Sequence, residues 1–208
     1  IADLKETFRR GTIFIQLIYI NGGLFLIGTL VGIFLQLFNL STFDIFGIFA
    51  LPASFIGFIR QPWSIITYMF MHAGILHILF NMLWLYWFGS LFLYFFSAKH
   101  LRGLYVLGGI CGGLLYMIAY NVFPFFTYQV AGATLVGASA SVLAIVAATA
   151  YRAPNYQVQL FLFGAIRLKY LALIVIGIDV LSITSSNAGG HIAHLGGALA
   201  GLWFAASL

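Results

Sequence analysis

Charge is what this sequence lacks most. Only 6% of its 208 residues are Lys, Arg, Asp or Glu, where an ordinary soluble domain carries about 25%, and that scarcity excludes a water-soluble globule. Cysteine is nearly absent too: Cys111 stands alone, so no disulfide forms within the chain. No cleavable signal peptide is read at the start, because the apolar run from Gly11 is too long and lacks a polar cleavage region. The His-Glu-x-x-His signature of a metal-dependent protease is missing, and Asp179 is the one aspartate within an apolar stretch, where an intramembrane aspartyl protease needs two.

What is present is apolar length. Hydrophobic residues make up 63% of the chain, in stretches comparable to the about 20 residues that cross a bilayer core. Six spans are expected, at about 11–38, 75–96, 103–122, 137–151, 168–183 and 190–206. Residues 39–72 hold Asp44, Arg60, Pro62 and Trp63 among many Phe and Ile, too apolar for a solvated linker, and read as an interfacial loop partly embedded in the membrane. The fold class is therefore an all-α polytopic membrane protein, a six-helix transmembrane bundle with a membrane-embedded first loop, forming one domain over residues 1–208. The fourth span is short and built from Ala, Gly and Ser, which places it at the centre of the bundle, shielded by its neighbours. Small residues four apart, as in Gly108/Gly112, Ala140/Ala144/Ala148 and Gly197/Gly201, allow close helix approach.

The net charge of +5 raises the question of nucleic acid, and the positions answer it. Lys5, Arg9, Arg10, Lys99, Arg102, Arg152, Arg167 and Lys169 fall on one side of the spans, and Arg60 alone on the other. The positive-inside rule puts both termini on the cytoplasmic side and accounts for the charge without a nucleic-acid partner.

With that topology the second, fourth and sixth spans all begin at the outer face. Their first turns hold His72, His77 and Asn81, then Ser139 and Ser141, then His191 and His194. Polar groups inside a membrane are expensive and are read as functional first. His77 and Asn81, four apart, share a helix face. A hydroxyl, an imidazole and further donors at one depth are what acyl transfer requires: a nucleophile, a base within reach and preorganised donors for the oxyanion.

His72-Ala-Gly-Ile-Leu-His77-Ile-Leu-Phe-Asn81, then Gly137-Ala138-Ser139, then Ala193-His194-Leu195-Gly196-Gly197 followed by Gly201, resembles the rhomboid family of intramembrane serine proteases. The resemblance extends over essentially the whole chain. It implies a Ser-His dyad without an acidic third member, with Ser139 the nucleophile and His194 the general base. It implies His77 and Asn81 as oxyanion donors, joined by the backbone N–H of Ser139. His72 resembles a loop position and is assigned a structural or water-handling part. The implied substrates are single-pass membrane proteins cut near the outer end of their span, after a small residue, by a multi-pass protein of the lipid bilayer. A bacterial inner membrane is the expected setting, from the compact six-span form.

Two positions depart from the family. Ala140 follows the serine where Gly is usual, and is expected to push the fourth and sixth helices apart. Leu143 stands where an aromatic usually stacks on the imidazole. His191 is the rival base, three residues before His194, and the glycines after His194 favour the latter. Asp179 is read as a cap or water-facing group, and the fifth span as a lateral gate. No cofactor and no metal are expected: His191, His194 and His77 are ligand types, but no carboxylate or thiolate neighbours them in sequence to complete a shell. The competing reading is a catalytically silent scaffold of the same fold that binds transmembrane helices; such a protein would be marked by loss of the serine or histidine, and both are present. A transporter would show interrupted spans in matching halves, which are not seen.

Overall fold

The computed structural model describes residues 11–40, 45–160 and 164–208. Lys5, Glu6, Arg9, Arg10 and Asp44, used above to orient the chain, lie outside them. Six helices of 14 or more residues follow one another: α1 (Ile13–Leu37), α2 (Ile75–Phe92), α3 (Ala98–Val122), α4 (Ser139–Arg152), α5 (Leu168–Leu181) and α6 (Ala188–Ala206). α1, α2 and α3 are long and apolar enough to cross a membrane, and the protein is an integral membrane protein.

At about 1.5 Å per residue, 14-residue α4 is about 21 Å long, short of the about 30 Å hydrocarbon core. The bundle solves this by enclosing it: every residue from Ala140 to Ala150 is buried, with α2, α3, α5 and α6 packed around it. The closest approach is between α4 and α6. A Cβ added to Gly197 would run into the backbone carbonyl of Ala140, and one on Gly201 into that of Ala144, so the two helices touch backbone to backbone. Ala140 therefore does not push α6 away, contrary to the sequence expectation. Its methyl points instead at α3, where a Cβ on Gly112 would come within 2.6 Å of it.

α1 sits at the edge of the bundle. Its buried residues are Ile13, Phe14, Leu17 and Asn21, and Asn21 ties it to α3 by donating to the Tyr105 hydroxyl at 3.1 Å. The loop before α2 is folded on itself. Short helices at Ile45–Phe49, Phe55–Arg60 and Ser64–Thr67 are stitched by Gln61 Nε2 to the Ala50 carbonyl at 2.9 Å, Trp63 Nε1 to that of Ile48 at 2.9 Å and Thr67 Oγ1 to that of Phe49 at 2.8 Å. β1 (Leu51–Pro52) pairs antiparallel with β2 (Thr134–Leu135), which anchors the loop beside the segment leading into α4. A second ribbon, β3 (Gln157–Leu160) with β4 (Gly164–Arg167), joins α4 to α5.

Candidate active site

The site begins with a glycine. Gly137 has φ +126°, a region that suits residues without a Cβ, and its N–H donates to the Tyr68 carbonyl at 2.9 Å. A Cβ there would lie 2.8 Å from His77 Nε2 and 3.7 Å from Ser139 Oγ, so the absent side chain is what lets the α2 imidazole close on the serine's turn. Ser139 is the first residue of α4, after Ala138, which caps the helix with no side-chain hydrogen bond. The first amide hydrogens of a helix have no partner within it. Here they stand at the turn that carries the hydroxyl.

His77 is fixed by its own helix entrance. The backbone N–H of Ala73 donates to its Nδ1 at 3.3 Å, which makes Nδ1 the acceptor and leaves the hydrogen on Nε2, on the ring edge that faces Gly137. Asn81 lies one turn further on, buried, with Nδ2 donating to the His77 carbonyl at 2.9 Å and a second N–H still to give. Ser139, His77, Asn81 and His194 all line one cavity of about 760 Å³, with Leu143 and Trp84 on its walls. His191 is not among its lining residues. His72 is buried outside it, edge-on to His77 at a ring separation of 5.1 Å. Among the described residues no hydrogen bond joins Ser139 Oγ to His194, a contact that in unliganded enzymes often tightens only with substrate.

The surprise is Asp179. Read from sequence as a cap or a water-facing group, it is 3% exposed, and its Oδ1 lies 2.7 Å from His191 Nδ1 and 2.9 Å from His194 Nδ1. The absence of an acid from the neighbourhood of the histidines was a statement about sequence distance. In space, α5 and α6 form an antiparallel hairpin, which lays the last turn of one against the first turn of the other. Asp179 falls two residues before the end of α5, and His191 three after the start of α6.

Asp179, His191 and His194 bring their ligand atoms within 4.8 Å of one another and are the group able by type to hold a metal ion. Tetrahedral bonds of about 2.0–2.1 Å set ligand atoms about 3.3 Å apart. The carboxylate-to-imidazole separations of 2.7 and 2.9 Å are hydrogen-bond lengths instead. A carboxylate only accepts, so both imidazoles donate Nδ1–H to it, which in a neutral His194 puts the lone pair on Nε2.

Residues 59–208 match the family described as "Rhomboid domain". The chain is also 32% identical over 144 residues to RHOMBOID-like protein 12, mitochondrial, from Arabidopsis thaliana. That alignment covers 65% of this chain and 43% of the relative, so the chain matches less than half of the relative's length.

Proposed function

Because the chain belongs to the rhomboid family, we propose that it is an intramembrane serine endopeptidase whose nucleophile is Ser139 and whose general base is His194. The observation that carries this reading is the shared cavity: a serine at a helix start faces the same space as an imidazole whose Nε2 is left as an acceptor. In the reaction His194 Nε2 takes the proton of Ser139 Oγ as that oxygen attacks the scissile carbonyl. The oxyanion is met by His77 Nε2–H, the free Asn81 N–H and the amide of Ser139. Collapse expels the amine, which receives the proton from His194. Water then attacks the acyl-enzyme with the same base, releasing the new carboxylate and restoring Ser139.

The substrate class follows from the setting. A helical segment has its backbone carbonyls occupied, so a single-pass membrane protein must unwind locally before attack, and helix-weak segments are favoured. We place both termini in the cytoplasm and the cavity toward the outer side, on the strength of the basic residues, and take a bacterial inner membrane as the setting from the compact six-span form. The chain works on this reading as one domain over residues 1–208, with the bilayer and the substrate helix as its partners and no nucleic acid.

The rival is a silent scaffold that binds transmembrane helices, and the missing Ser139–His194 hydrogen bond is the observation in its favour. Labelling of purified protein with a fluorophosphonate separates the two. Wild type should label, Ser139→Ala and His194→Ala should not, and His191→Ala should retain most of the labelling. Folded wild type that stays unlabelled would establish the scaffold; loss in His191→Ala with labelling kept in His194→Ala would exchange the two histidines.

A further inference from the structure

We propose that Asp179 is a positioning residue for catalysis: by accepting Nδ1–H from both His191 and His194 it holds His194 in the tautomer and orientation that point Nε2 at Ser139, making the site an acid–base–nucleophile set in place of a dyad. The inference rests on the proposed serine-protease reading and deepens it.

Three observations carry it. Asp179 is the one acidic side chain among the described residues, and it is buried. A buried carboxylate is costly unless it is hydrogen-bonded; this one spends a single oxygen, Oδ1, on both imidazoles, while Oδ2 has no partner among the described residues. A shared oxygen of that kind fixes two rings against each other, and their centroids stand 5.9 Å apart at 79°.

The second observation is that Nδ1 is the nitrogen engaged. An imidazole free to choose its tautomer spends part of its time with the hydrogen on Nε2, where it cannot act as base; a carboxylate on Nδ1 removes that choice. The third is the lack, among the described residues, of any other restraint of comparable strength. Leu143, the α4 side chain that shares the cavity with His194, has no ring to stack on it and no polar atom to bond it. His191, outside the cavity, completes the set as the outer strut that keeps the carboxylate turned toward α6.

The test uses the full chain in detergent with a fluorophosphonate, resolving the rate of covalent reaction from the probe's reversible binding. Asp179→Asn is expected to slow the covalent step at least about tenfold, within the up to about 10⁴-fold range of such a replacement in Ser-His-Asp sites, and to leave reversible binding within about twofold. Asp179→Glu should recover part of the rate. A covalent step unchanged in Asp179→Asn, or equal losses of binding and rate without recovery by Glu, would overturn the proposal. Nitrogen-15 NMR of histidine in Ser139→Ala supplies a readout free of activity and of the Asp179 variants' folding: the hydrogen of His194 should reside on Nδ1, and a hydrogen on Nε2 would equally overturn it. Unlabelled wild type would sink the protease reading while the NMR result still decided the role of Asp179.

Discussion

His72 is buried, 1% exposed, and that has a consequence for stability. Burial first, and then the neighbouring His77, lower its pKa from 6.5 to about 4. The unfolded chain binds a proton near pH 6.5 that the folded protein refuses until about pH 4, so stability is full above the upper value and falls as pH drops through this window. Wild type should therefore melt at progressively lower temperature from pH 7 to pH 4.5, and His72→Phe, which keeps a ring and removes the titration, should lose part of that slope. Parallel melting curves for the two proteins would assign the acid sensitivity elsewhere. Asn81 makes a separate prediction. One of its N–H bonds is spent on the His77 carbonyl, and if the other serves the oxyanion, Asn81→Ala should slow substrate cleavage by about 10²–10³-fold. Unaltered turnover would make it a packing residue.

At the scale of elements, the α4–α6 contact joins the helices that carry Ser139 and His194, because Gly197 and Gly201 let α6 lie on the carbonyls of Ala140 and Ala144. Gly201→Ala forces a methyl into backbone that cannot move aside cheaply, and overpacking of this kind costs about 1–3 kcal/mol. For a chain of this size that lowers the melting temperature by about 2–4 °C per kcal/mol. Gly177→Ala, where a Cβ meets nothing within 4 Å, should melt like wild type, and equal behaviour of the two would refute the close approach. Helix existence was legible here because apolar length is a long-range property of a sequence: the expected 137–151 and 168–183 became Ser139–Arg152 and Leu168–Leu181. What escaped were features set by local hydrogen bonds. α3 starts at Ala98, earlier than the expected 103, because Ser97 Oγ accepts from the His100 N–H at 3.2 Å and caps it. The connection between the fourth and fifth spans holds the β3–β4 ribbon, and the alternation Gln157-Val158-Gln159-Leu160 is its strand signal. In the site, depth grouped Ser139, His77, Asn81 and His194 together with His72, Ser141 and His191, and only the family resemblance set the four apart, whereas the bonds of Asp179 required knowing which helices lie side by side.

For the whole molecule, the distribution of exposed apolar side chains bears on how a substrate reaches the cavity. α5 buries Leu168, Leu171, Ala172 and Asp179 and turns Leu173, Ile174, Ile178 and Leu181 outward, the pattern of a helix with lipid on one side and the bundle on the other. Its Val175 lines the cavity, opposite Leu76, Phe80 and Trp84 from α2. The proposed gate role of the fifth span would have a transmembrane segment enter between these α2 and α5 walls. The Asp179 hydrogen bonds limit how far α5 can swing, because the end of α5 that carries Asp179 is tied to His191 and His194 of α6. A gate that opened by moving the whole of α5 would break the site it serves; opening is compatible with catalysis only if the displacement is confined to side chains or to the end of α5 remote from Asp179. Val175→Trp, which narrows the cavity from the α5 side, should therefore cut cleavage of a transmembrane substrate at least about tenfold while a small fluorophosphonate still reacts with Ser139, because size exclusion acts on binding and leaves the chemical step in place. Parallel loss of both activities would mean that Val175 supports the catalytic groups, and full retention of substrate cleavage would move the access route away from the α2–α5 side.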